Sequence, residues 1–293
     1  MDKLREIRQK GINATLIALL ISVVISIIAF TVNREYLFIG LISLVLPIIV
    51  FASYNKRFIK VFKDEFVKAS LESIFDNLYY DPTRGLDRNI IANTGMLYMG
   101  NRYSSNDYIS GSYKNVPFEQ ADVCIQDVET HTDSEGHTHT DVTNILVGKW
   151  MIFDFNKSFK ANVQVKSKFF SFSKLSIKWG ETKYNTVKME DEDFNKKFSV
   201  HAQSEHDAFY ILTPQLMQRI KELNEGLKGK IMLCFIDNKL HVALNNSKDS
   251  FEYNMLSKLD ENVINEYVSK EIKIITDFVD KLNLENDIFK KEG

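Results

Sequence analysis

Cysteine is scarce in this chain: Cys124 and Cys234 are the two present in 293 residues. Two thiols are too few for a disulfide scaffold or a four-cysteine zinc site. A surplus of charge is also missing, since 37 Lys and Arg against 39 Asp and Glu leave a formal net charge of −2. Neutralising phosphates along a nucleic acid takes a large basic excess, so nucleic acid is not an expected partner. The phosphate loop G-x-x-x-x-G-K-[ST], the zinc-protease pattern H-E-x-x-H and the nucleophile elbow G-x-S-x-G do not occur. Gly85, Gly95, Gly100 and Gly111 stand too far apart to cradle a phosphate. No internal repeat or low-complexity linker divides the chain. Hydrophobic residues at 44% and charged residues at 26% are those of a folded protein. A mean hydropathy of −0.19 looks soluble, but it averages two very different parts.

The apolar residues crowd into the N-terminus. From Ile12 to Val32 roughly 21 residues carry no charge, enough to cross a ~30 Å hydrocarbon core as a helix. After Asn33-Arg34-Glu35, a second uncharged run of about 19 residues extends from Tyr36 to Tyr54. Pro47 lies inside it, and membrane helices tolerate proline better than soluble ones do. Tyr36 and Tyr54 bracket it where interfacial aromatics belong. The first run is longer than the core of a secretory signal, and Phe30-Thr31-Val32 is no small-residue cleavage site. The short connection makes the two spans a helical hairpin. Lys3, Arg5, Arg8 and Lys10 precede it and Lys56, Arg57, Lys60 and Lys63 follow, against Arg34 alone between the spans. The positive-inside rule then expects both termini in the cytoplasm. Free thiols suit a reducing compartment. The cluster Lys56, Arg57, Lys60 and Lys63 would face anionic headgroups.

The expected organisation is α+β. A membrane anchor spans residues 1–63, with membrane runs at about 12–32 and 36–54. One cytoplasmic domain follows over 64–284, with an antiparallel sheet and flanking helices, and 285–293 form a tail. Phe62, Phe66, Val67, Leu71, Ile74, Phe75 and Leu78 recur every three or four residues, which predicts a helix continuing from the second span to the turn at Tyr80-Asp81-Pro82. Strands are expected over Val123–Val128, Val142–Phe155, Ala161–Val165, Leu175–Trp179 and Phe198–Ala202. Thr213-Pro214 opens a helix striped by Leu216, Ile220 and Leu223. Ile231–Ile236, Asp237-Asn238 and Lys239–Leu244 read as a hairpin. Ile264, Val268, Ile272, Ile275, Val279 and Leu282 mark a long final helix.

Chemistry concentrates in three places. His131, His137 and His139 are half of the six histidines. His137 and His139 share a face of any strand and could chelate a divalent metal, whereas the register across Asp133-Ser134-Glu135 decides whether His131 joins them. The tip is otherwise an exposed polar turn, and metal sites need a supported surrounding shell. Glu190-Asp191-Glu192-Asp193 lacks the alternation and glycine of a calcium loop and reads as a solvated turn before a strand. Lys157, Lys160, Lys166, Lys168, Lys174 and Lys178 interleave with Phe159, Phe169, Phe170, Phe172 and Trp179, a pattern of inward aromatics and outward lysines. Cys124 and Cys234 sit in apolar strand texture as core thiols, and His201, His206 and His241 are expected to be structural or exposed.

Five segments together resemble a known family. They are Asp107-Tyr-Ile-Ser-Gly111-Ser-Tyr-Lys-Asn-Val-Pro-Phe118, Gly148-Lys-Trp-Met-Ile-Phe-Asp154-Phe-Asn-Lys157, Val187-Lys-Met-Glu190-Asp-Glu-Asp-Phe194-Asn-Lys-Lys-Phe198-Ser-Val200, Tyr210-Ile-Leu-Thr-Pro214-Gln-Leu-Met217 and Asp249-Ser-Phe-Glu252. Behind a membrane hairpin they resemble a bacterial family of membrane proteins, domain of unknown function thirty-one thirty-seven. The resemblance spans about Tyr80 to Glu252 and implies a bacterial membrane protein, with a LemA-type membrane protein as a partner. It carries over no catalytic residue, and the histidine-rich tip lies outside its pattern.

These readings converge on a membrane-anchored, cytoplasm-facing scaffold or interaction protein rather than an enzyme. Its expected partners are membrane lipids and either further copies of the chain or a LemA-type protein. No cofactor is expected. The alternatives are a sensor of anionic lipid or envelope state, and a metal-dependent membrane enzyme holding a divalent ion at the histidine tip.

Overall fold

A computed structural model describes residues 1–33, 36–133, 136–154, 162–168 and 184–285. Helix α1 runs unbroken over Asp2–Val32, and the second apolar run holds α2 (Leu37–Ser43) and α3 (Val45–Phe62), separated at Leu44. Pro47 explains the break. It has no N–H to give the carbonyl one turn earlier, that of Ser43, and its ring crowds the same carbonyl. Ser22 on α1 replaces the missing donor, its Oγ lying 2.7 Å from the Ser43 oxygen, and Ser43 Oγ donates back to the Ser22 carbonyl at 3.2 Å.

Small residues permit this approach. Ala18, Ser22 and Ala29 are the buried positions of the apolar part of α1. A Cβ built on Gly40 would sit 2.9 Å from Ser26 Oγ, the close helix contact that small-xxx-small patterns allow. The large side chains turn outward: Leu20, Leu41 and Ile48 are 66%, 68% and 66% exposed. Asp2–Val32 and Phe38–Glu72 are both long and apolar enough to cross a membrane.

The chain resolves into two compact units, Met1–Ser70 with Phe251–Lys270, and Leu71–Ser250 with Glu271–Gly293. In the first, the helices extend beyond the apolar runs. After α3 the chain passes through a π-helical turn, Lys63–Val67, into α4 (Lys68–Glu72). Phe62 stacks on Phe66 and Tyr253 at centroid distances of 6.1 and 5.1 Å, and Asn55 Oδ1 accepts the Met255 N–H at 2.8 Å.

The helix stops at Glu72, short of the predicted turn at Tyr80. Asn77 adopts a left-handed φ of +52°, and Asp76–Asp81 forms strand β1 instead. Tyr79 and Tyr80 pair with Ser110 and Ile109 of the next strand, so two aromatics that suit a pleated surface override the spacing that had looked helical.

Among the described residues, the second unit is built on a nine-stranded sheet ordered β1-β2-β3-β4-β9-β8-β5-β7-β6, antiparallel throughout. Its other strands are β2 (Arg102–Tyr113), β3 (Val116–Thr132), β4 (Thr138–Asp154), β5 (Val163–Ser167), β6 (Asn185–Val187), β7 (Phe198–Ala202), β8 (Lys230–Ile236) and β9 (Lys239–Asn245). The remaining helices are α5 (Arg88–Ala92), α6 (Glu192–Lys197), α7 (Glu205–Ile211), α8 (Pro214–Gly226) and α9 (Glu261–Leu282). The predicted hairpin at Asp237-Asn238, strand at Phe198–Ala202 and helix opened by Thr213-Pro214 are present. Thr213 Oγ1 accepts the Leu216 N–H at 3.3 Å as the N-cap. The acidic run leads into a helix, not directly into a strand: Asp191 caps α6 by accepting from Phe194 N at 2.9 Å and pairs with Lys221 at 2.7 Å. Carboxylates in a first helical turn suit its positive end. The strand expected over Leu175–Trp179 lies outside the described residues.

Alternation gives the sheet two apolar faces. On one, Ala121, Val123, Ile125, Trp150, Ile152, Cys234 and Ala243 form a continuous core with Ile91, Met96 and Leu97. On the other, Phe118, Met151, Phe153, Val242 and Leu244 are buried, and Phe153 stacks on Phe278 of α9 at 6.1 Å. The second face also carries Asp122 and Lys149, charged groups where apolar ones would be expected.

Candidate functional site

Lys149 and Asp122 are directly opposed across β3 and β4, which puts their Cβ atoms about 5 Å apart. Both side chains are buried, at 1% and 4% exposure. Gly148, with φ of +155°, lets β4 approach β9 closely beside Lys149: a Cβ there would lie 2.1 Å from the Leu244 carbonyl oxygen. A bulge in β2 between Asn106 and Ile109 breaks the register, and Asp107 takes a φ of +53° within it. Bulges re-aim side chains in this way. Asp107 thereby comes to accept from Tyr80 Oη at 2.9 Å and Asn106 Nδ2 at 2.8 Å. Asn106 Nδ2 also reaches Asp249 Oδ1 at 3.2 Å.

The connection after β9 closes the cluster. The Ser250 hydroxyl donates to Asp122 Oδ1 at 2.7 Å, and the Ser250 N–H donates to Asp122 Oδ2. Lys149 Nζ donates to Ser250 Oγ and lies 2.9 Å from Glu271 and 3.5 Å from Asp122. Asp107, Asp122 and Asp249 each offer a carboxylate oxygen within 4.8 Å of the other two, and no other group of three such donors is found among the described residues.

Burial raises the Asp122 carboxyl to about 7, a hydrogen bond with Asp249 pushes the same way, and Lys149 opposes both. Burial works against a charge on Lys149, but the carboxylates of Asp122 and Glu271 outweigh it and hold its proton above the ordinary lysine range. A serine beside a lysine is the layout of a nucleophile and its base. Here the lysine keeps its proton and Ser250 is 1% exposed. These contacts hold Ser250, just after β9, against the middle of the sheet. A cation between the three aspartates would compete with the hydrogen bonds Asp122 already accepts.

The predicted site residues fall elsewhere. At the tip, Thr132 pairs with Thr138 and His131 with His139, across a connection of five residues, 133–137. Asp133 sets it, its backbone N–H donating to the His137 carbonyl at 2.9 Å and its Oδ1 accepting from His137 N at 2.8 Å. His131 and His139 therefore share a face, with Glu129 and Asp141 opposed on that face two residues along. His131 Nε2 lies 3.5 Å from Glu129 and 3.9 Å from Asp141, while His137 and His139 lie 3.3 and 4.0 Å from Asp133. His131 thus lies beside Glu129 and Asp141, and His137 and His139 beside Asp133, all of them exposed.

Of the basic cluster, Lys56, Arg57 and Lys60 are exposed. Lys63 is turned inward, 7% exposed and 2.5 Å from Glu252, because the turn after α3 aims it at the Phe251–Lys270 segment. Lys157, Lys160, Lys174 and Lys178 and the aromatics among them lie outside the described residues. Lys166 does not: burial lowers it to about 7. Cys234 is a core thiol raised by burial to about 12. His241 is buried as well. It accepts the Trp150 indole N–H at Nδ1, 3.3 Å away, and burial lowers it to about 4.

The residues that sequence reading missed are Asp122 and Lys149, and a signal existed. Each stands alone inside an apolar strand, in Ala121-Asp-Val-Cys124 and Gly148-Lys-Trp-Met151. Three of the five segments quoted above for their resemblance meet at this cluster, through Asp107, Lys149, and Asp249 with Ser250.

Residues 144–284 match the family model described as Protein of unknown function (DUF3137). The match takes in Lys149, Asp249, Ser250 and Glu271, and leaves Asp107 and Asp122 outside. No curated protein matches the chain. Among solved structures, the crystal structure of the mycobacterial trehalose monomycolate transport factor A, TtfA, aligns over 74% of this chain and 93% of its own at 9% identity and a TM-score of 0.36, too loose a likeness to carry an argument.

Proposed function

We propose that the chain is a membrane-anchored scaffold or interaction protein of the bacterial inner membrane, holding a sheet unit on the cytoplasmic side. The observation that carries this reading is the inverted packing of the N-terminal hairpin. Its small and hydroxylated residues are buried against each other, and its Leu, Ile, Val and Phe side chains face outward. In water that arrangement would expose a large apolar surface, and in lipid it is the ordinary one. The flanking Lys and Arg residues support cytoplasmic termini. The protonated state of Lys149 and the burial of Ser250 favour a structural role for the most chemically dense cluster, which supports interaction over catalysis.

The partners are lipids and either further copies of the chain or a LemA-type membrane protein. Gentle solubilisation after in-membrane crosslinking tests this. A crosslinked homo-oligomer or a captured membrane protein is expected. A strict monomer with nothing crosslinked would overturn the scaffold reading while leaving the anchor intact.

A further inference from the structure

The polar end of the hairpin carries a cavity of about 370 Å³ lined by Arg5, Arg8, Gln9, Ile12, Asn13 and Leu259. The first five lie at helical spacings on one side of α1, whose other side buries Leu4, Ile7 and Gly11. The sixth comes from the segment that clads the helices within the same unit. The two cations differ in how they are satisfied. Arg5 holds an exposed pair with Asp2 at 3.5 Å, which costs little to exchange for another anion. Arg8 is half-buried and, among the described residues, has no ion-pair partner. A half-buried guanidinium facing a cavity without a carboxylate lacks an anion to complete it, and its planar fork fits phosphate oxygens two at a time. Gln9 and Asn13 add neutral donors on the same wall.

The remaining wall specifies the source of the phosphate. Ile12 and Leu259 are apolar, and Ile12 is the first residue of the uncharged run. We infer that this cavity binds the headgroup of an anionic phospholipid, with Arg5 and Arg8 on the phosphate, Gln9 and Asn13 on polar headgroup atoms, and Ile12 and Leu259 against the start of the acyl chains. The inference rests on the membrane reading above, because only a hairpin in lipid brings this level of α1 to the headgroups.

The test uses the full chain in nanodiscs of phosphatidylcholine with graded phosphatidylglycerol, with lipid retained after gentle release counted by native mass spectrometry. Wild type is expected to retain about one phosphatidylglycerol per chain in preference to phosphatidylcholine. The R5Q/R8Q variant should bind it at least tenfold more weakly, R5K/R8K should fall between, and K228Q/K230Q, exposed lysines of the sheet unit, should match wild type. Millimolar inorganic phosphate should not displace the lipid. Equal retention by R5Q/R8Q, an equal loss in K228Q/K230Q, or displacement by free phosphate would each overturn the inference while leaving the anchor standing. A chain that does not enter nanodiscs at all would overturn both.

Discussion

At the residue scale, the clearest consequence concerns two buried groups that titrate in opposite senses. Asp122 is raised from 3.8 to about 7. Its contribution to stability is complete below pH 3.8, where folded and unfolded chains are both protonated, and is lost as pH rises to 7. His241 is lowered from 6.5 to about 4. Its contribution is complete above pH 6.5 and is lost as pH falls to 4. Between pH 4 and 6.5 the two effects therefore oppose each other. Asp122→Asn should therefore make the chain gain stability from pH 4 to 7, and His241→Gln should make it lose stability over the same interval. Denaturant titrations read by the buried Trp150 at several pH values check both; parallel profiles for the two variants would refute the assignment.

Lys149→Met strands Asp122 and Glu271 without their cation and should cost about 3–5 kcal/mol, the ordinary penalty for breaking a buried pair from one side. These residues were partly legible beforehand. A lone lysine or aspartate inside an apolar strand is conspicuous, but cross-strand pairing and a bulge in β2 decide who meets whom, and neither is written in local spacing.

At the element scale, the hairpin helices depend on a substitution of donors. Pro47 denies the Ser43 carbonyl its backbone partner, and Ser22 supplies one from the facing helix. Ser22→Ala should cost about 1 kcal/mol in the wild-type chain, within the range for hydrogen bonds between membrane helices. In a Pro47→Ala background, where an amide can again reach Ser43, the same replacement should cost close to nothing. A double-mutant cycle by unfolding in detergent measures the difference; additivity would show that Ser22 does not serve Ser43. Gly40→Leu should open the pair more severely, since Ser26 backbone and side-chain atoms already stand about 3 Å from where a Cβ would lie.

Elements with strong periodicity were legible in advance: both apolar runs, the α8 cap, the β8–β9 turn and the stripe of α9. Leu71 to Leu78 was not, because three-and-four spacing persists across a boundary that the left-handed turn at Asn77 imposes. The histidine tip escaped as well. Its register follows from Asp133 folding back on His137, a contact of one side chain that no alternation pattern encodes.

At the scale of the whole molecule, composition misleads and distribution informs. A net charge of −2 describes neither the uncharged runs nor the mixed-charge sheet unit. The proposal of two membrane crossings with the sheet unit inside rests on the hairpin's outward Leu and Ile side chains and the basic residues that flank it. The central claim is tested most directly by which side of the membrane two positions face. Asn33→Cys lies at the end of α1 and His137→Cys at the tip of the β3–β4 hairpin, both exposed. A membrane-impermeant maleimide, with wild-type labelling of Cys124 and Cys234 subtracted, should label Asn33→Cys only in right-side-out vesicles and His137→Cys only in inverted ones. Labelling of both from the same side would contradict two crossings, and the reversed pattern would contradict a cytoplasmic sheet unit.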